Sequence, residues 1–83
     1  MAKVQARRAR DLSSALVVAR RRRGWSQGEV ADRIGVTRDY IGDLESGQLS
    51  LQVNRLMRLF GELGVDVVLT LPEPNDEPGA SDA

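Results

Sequence analysis

Gly35 and Thr37 stand two residues apart, and between them they limit the shapes this chain can take. A glycine at the end of an apolar-periodic segment supplies the left-handed residue that closes a helix, and a threonine ahead of the next segment caps its free amides. Upstream, Ser26 and Glu29 make an S-x-x-E capping box in which each side chain satisfies the other's exposed amide. A helix of little more than two turns is therefore predicted up to Gly35, with Val30, Ala31 and Ile34 as its inward face. Downstream, Ile41 and Leu44 give the next helix its inward pair and Gly47 stops it. Two helices this short, joined by so tight a turn, must cross steeply.

The flanks read as further helix and one strand. Leu12, Ala15, Leu16 and Ala19 recur at helical spacing and Gly24 closes that segment. Ser50 caps a later helix whose broad apolar face is Leu51, Leu56, Leu59, Phe60 and Leu63, with Gly64 as its end. From Val65 to Leu71 the pattern changes to period two and β-branched, which predicts a strand. Residues 1–10 carry no apolar period and read as a flexible basic arm. Residues 11–71 form the folded domain, and residues 72–83, rich in Pro, Asp and Glu, read as a disordered acidic tail.

Composition narrows the function classes. The 83 residues suffice for one domain whose core is too small to be robust alone, and dimerisation is the expected remedy. With neither Cys nor His, the chain lacks a disulfide framework, the usual metal ligands and the commonest general base, so the reading includes no metal, no cofactor and no enzyme activity. The longest wholly apolar run, Ala15 to Ala19, is far below the roughly 20 residues of a membrane span. The basic start followed by a modest apolar stretch is not read as a signal peptide, because Ser13 and Ser14 interrupt it and four arginines follow without a small-residue cleavage pattern. A cytoplasmic protein is expected.

The formal charge of zero conceals a gradient. Residues 1–23 hold eight cations against Asp11 alone, a net +7, whereas residues 24–71 carry −3 and residues 72–83 carry −4. A basic front suits a polyanion, although clustered arginines on a solvated helix would look the same.

The steep pair of helices is a helix-turn-helix arrangement. The stretch GWSQGEVADRIGVTRDYIGDLESG, Gly24 to Gly47, resembles the DNA-binding core of the lambda-repressor and Xre family. The resemblance implies a mainly α domain of four to five helices that reads double-stranded DNA bearing an inverted-repeat operator. The wider layout, with a short hydrophobic strand before an acidic tail, resembles the HipB-type antitoxins, which implies a kinase-fold toxin of the HipA type as a partner and autoregulation of the shared operon. A stand-alone Xre-type regulator, or an interaction module that does not read DNA, is the alternative.

Site residues follow from both sources. Ser26 and Gln27 begin a helix, where free amides and the positive dipole end seat a phosphate, and Gln27 matches the family's phosphate-anchoring glutamine. Thr37, Tyr40 and Gln48 complete the phosphate contacts that the resemblance implies. Arg38, Asp39, Gly42 and Asp43 occupy the positions that face base edges in the family. Arg38 can fork onto guanine, and Asp39 or Asp43 can accept from the cytosine amino group. Asp39 could equally hold Arg38 or favour the helix N-terminus. Gly42 is either an opening for close approach or a tolerated glycine. The family pattern also pairs Arg20 with Glu45. Trp25, a lone aromatic, fits a lid on the core better than a base-stacking platform.

The strand raises a further expectation. A single strand leaves its backbone groups unpaired, so Val65, Val67, Leu69 and Leu71 are expected to pair with the same strand of a second copy, as the dimer strand of a homodimer.

Overall fold

The computed structural model describes residues 2–74. The order is β1 (Ala2–Ala6), α1 (Ala9–Arg22), α2 (Gln27–Ile34), α3 (Arg38–Glu45), α4 (Leu51–Glu62) and β2 (Val67–Leu71). The mainly α class and the four helices agree with the sequence reading.

Capping chemistry sets most helix boundaries. The Ser26 hydroxyl accepts from the Glu29 amide at 3.1 Å and the Glu29 carboxylate accepts from the Ser26 amide at 3.0 Å. Thr37 accepts from the Tyr40 amide at 3.1 Å, and Ser50 from the Val53 amide at 3.2 Å. Gly35 ends α2 at φ 76°, a left-handed conformation in which its amide reaches the Ala31 carbonyl at 2.9 Å. Such a residue at 35 other than glycine would be strained. α1 starts earlier than its apolar spacing suggested, because Asp11 accepts from the amides of Arg7 and Arg8 at 2.8 and 2.9 Å and so starts the helix at Ala9.

The arm and the lone strand are both corrected by one feature. Ala2–Ala6 is a strand, and it pairs antiparallel with Val67–Leu71 of the same chain, with Ala2 opposite Leu71, Val4 opposite Leu69 and Ala6 opposite Val67. The edge that a second molecule was expected to supply comes from this chain's own N-terminal segment. The arginines of this segment, Arg7, Arg8 and Arg10, follow the strand in sequence and so leave its ladder hydrogen bonds undisturbed. Val65 precedes the strand and is exposed. The tail's first residue is also held, since Arg22 Nη1 donates to the Pro72 carbonyl at 3.1 Å. The rest of the predicted acidic tail, from residue 75 on, lies outside the described residues.

The core is built largely from small side chains. Ala6, Ala9, Ala15 and Ala31 are buried together with Ile41, Met57 and Leu71. Alanines let α1 approach the sheet and α2 approach α3 closely but remove little apolar surface from water. Around Ala6, Ala9 and Met57 pack the half-buried Leu12, Leu49, Val53, Phe60, Val67 and Leu69. Ile41, 1% exposed, fixes α3 against the rest. Two predicted core elements differ: Ile34 is exposed at the end of α2, and Leu51, Leu56, Leu59 and Leu63 of α4 are exposed as well. An apolar helix face of that breadth exceeds what this small body covers, so only its Val53–Met57–Phe60 half is packed.

Candidate nucleic-acid interface

α3 is held in place by a three-way polar junction. Arg20, two residues inside the end of α1, grips Glu45 at the end of α3 through Nε at 2.5 Å and Nη2 at 3.0 Å. Gln27, the first residue of α2, donates its side-chain amide to Glu45 Oε1 at 3.0 Å. Arg20 Nη1 also donates to the Trp25 carbonyl at 2.8 Å, which ties in the segment between α1 and α2. The two charged side chains are only 11% and 8% exposed. The Arg20 hydrogen bonds hold the Glu45 carboxyl below its usual range, against the opposing effect of burial and with help from Gln27, and Glu45 in turn raises the Arg20 guanidinium. A forked guanidinium–carboxylate contact of this kind fixes orientation as well as distance.

With its inner side so held, α3 leaves Arg38, Asp39 and Asp43 exposed, with Tyr40 about half exposed at the flank. Gly42 is different. A Cβ there would stand 3.8 Å from Oε1 and 4.0 Å from Nε2 of Gln27, so the bare position faces α2. Among the residues read as phosphate contacts, Ser26, Thr37 and Gln48 are exposed, and Ser26 and Thr37 are also caps. Gln48 lies just after α3, where its amide donates to the Asp43 carbonyl at 2.9 Å. Gln27 is half-buried with its amide committed to Glu45, so its backbone at the helix N-terminus is the part best able to meet a phosphate. The exposed set thus runs from the start of α2, along α3, to the loop beyond it.

A sequence model of the helix-turn-helix family matches residues 18–69, more than half of the chain. The chain belongs to this family, of the Xre and lambda-repressor type. The second helix of the pair, the one that enters the major groove in DNA-bound helix-turn-helix proteins, corresponds in sequence order to α3. No curated protein and no solved structure matches the chain.

Two contacts escaped sequence reading. Gln27 joins the Arg20–Glu45 pair, and the Arg33 guanidinium lies over the Trp25 ring at 3.9 Å from its centroid, which closes the outer side of the tryptophan. Trp25 is half-buried and, as expected, sits as a lid beside Leu16, Ala19 and Val30. The first depends on how α2 and α3 cross, whereas the second runs along α2 from the residue before its cap to its last turn.

Proposed function

We propose that this helix-turn-helix protein is a sequence-specific transcriptional repressor that binds an inverted-repeat operator as a homodimer, with Arg38, Asp39 and Asp43 toward base edges. The observation that carries the reading is the junction of Arg20, Gln27 and Glu45, which holds α3 from one side while its polar residues stay free on the other. Rigid support of this kind is what discrimination between base pairs needs, since a hydrogen-bond fork to a base tolerates little misplacement. Ser26 and the α2 N-terminus, Thr37, Tyr40 and Gln48 flank that face as the phosphate contacts, which set register on the duplex.

The layout resemblance to HipB-type antitoxins supports a narrower version, in which the repressor governs its own operon and binds a kinase-fold toxin. Co-expression with the product of the adjacent reading frame, followed by co-purification, tests that version separately. For DNA reading itself, the test is selection of bound fragments from a genomic pool followed by titration at several salt concentrations. A specific binder enriches one inverted-repeat motif and loses affinity steeply with added salt. Recovery of random fragments, or none, would favour the interaction module, for which the acidic pair Asp39 and Asp43 is the supporting feature.

A further inference from the structure

The most conspicuous unsatisfied surface is on α4. Leu56, Leu59 and Leu63 are 49%, 53% and 67% exposed, and their spacing of three and four residues places them in one stripe. This stripe lies beside, not on, the Val53–Met57–Phe60 side that packs into the core. A chain whose buried apolar set is mostly alanine thus leaves these three leucines of α4 outside.

The charges beside the stripe indicate what covers it. With Leu56 and Leu63 taken as a positions and Leu59 as d, Arg55 and Glu62 are both g positions, one heptad apart. Among the described residues neither has an ion-pair partner in its own chain. If a second α4 runs antiparallel about a two-fold axis at Leu59, Leu59 meets its own copy, and Leu56 and Leu63 come within one helical rise of each other in both directions. The same register brings Arg55 of each copy to Glu62 of the other, giving two identical ion pairs. A parallel arrangement sets Arg55 against Phe60 and leaves Glu62 facing the level of Val67, beyond α4, and so satisfies neither charge. Glu62 also lies in the last turn of α4, where the helix dipole disfavours a carboxylate, and an opposed arginine offsets that. The pattern is self-complementary, as an interface between identical copies must be.

We infer that α4 is the homodimer interface, in which two copies pack antiparallel through Leu56, Leu59 and Leu63 with reciprocal Arg55–Glu62 pairs. The inference rests on the homodimer of the proposed function and replaces the β2 strand as its site. Three leucines per copy, even with the neighbouring Val65, fall short of the roughly 800 Å² per partner of a standard interface. The dimer is therefore reversible, dissociating on dilution.

Sedimentation of the full chain without DNA, across a concentration series, tests this. The unaltered chain should shift from monomer to dimer as concentration rises. Leu59→Asp, which opposes two carboxylates at the axis, should raise the dimer dissociation constant at least tenfold with an unchanged circular dichroism spectrum, since Leu59 is already half exposed. Glu62→Arg alone and Arg55→Glu alone should each weaken the dimer, and the double exchange should restore it. Because the chain has no Cys, Leu59→Cys should also yield a disulfide-linked dimer on oxidation, while Leu51→Cys, off the stripe, should not. A dimer indifferent to Leu59→Asp, or no rescue by the charge exchange, overturns the α4 interface while leaving a homodimer. A chain that stays monomeric with and without operator overturns both.

Discussion

Gln27 lies against Gly42, close enough that a methyl group at 42 would rest on its amide in ordinary van der Waals contact. The bare position is therefore turned toward α2 and not fully toward a duplex. Gly42→Ala is expected to stabilise the fold by about 1 kcal/mol, the usual helix-interior gain, and to leave operator affinity within a few-fold. Urea denaturation and a binding titration measure the two effects. A large loss of specific binding would return Gly42 to the groove.

Arg20 and Glu45 are expected to be strongly coupled. Removing either strands a nearly buried charge, so Arg20→Ala or Glu45→Ala should each cost about 3 kcal/mol, the low end for buried pairs. The double variant should cost much less than the sum, and a double-mutant cycle on unfolding measures the difference. Gln27→Ala removes one hydrogen bond to the same carboxylate, at about 1.5 kcal/mol, because the acceptor is charged.

Stability should fall in acid, and the direction follows from three carboxylates. Arg20 lowers Glu45, the Arg8 and Arg7 amides lower Asp11, and the Ser26 amide lowers Glu29. Each folded value lies below its unfolded one. The stabilisation is thus complete above the unfolded range of about 4 to 4.5 and is lost as pH drops through the folded values. The urea midpoint should be flat from neutrality to about pH 5 and decline below it. Glu45→Gln should flatten part of that decline.

Arg38→Ala should weaken binding to the selected operator by about 1 to 3 kcal/mol and barely change binding to random DNA, because a base-edge contact carries sequence information. Anisotropy titrations on both duplexes decide it. Equal loss on the two would make Arg38 a phosphate contact.

Deleting residues 2–6 should destabilise the chain about as much as truncation after Gly64, since each removes one half of the same ladder. Thermal unfolding of the two truncated chains provides the comparison. A β1 deletion as stable as the full chain would make the strand dispensable.

What was legible from sequence was local. Ser26, Glu29, Gly35 and Thr37 act within four residues of themselves, so the helix pair and its turn could be placed from types and spacing alone. β1 was not legible because its inward residues, Ala2, Val4 and Ala6, carry a weak apolar alternation next to a run of arginines, and its partner lies at the far side of four helices. The Gln27–Glu45 contact depends on a crossing that spacing does not encode. α4 shows a third limit: the breadth of an apolar face reveals how much surface wants cover, but not which half the chain itself provides. The Arg20–Glu45 pair was anticipated through family resemblance, which carries tertiary information that residue patterns lack.

The pairing of Ala2 with Leu71 also orders events in time. Synthesis runs from β1 toward β2, so β1 is complete while its partner is still to be made, and at roughly 5–20 residues per second it waits for several seconds. The helices between them need only nearby contacts and can form as they emerge, whereas the sheet needs the largest loop in the molecule to close. A nascent chain interrupted between Glu45 and Val67 would thus present the helix pair without its sheet. Only a chain that has reached β2 can close the ladder, so closure of the sheet also reports that translation has passed Leu71.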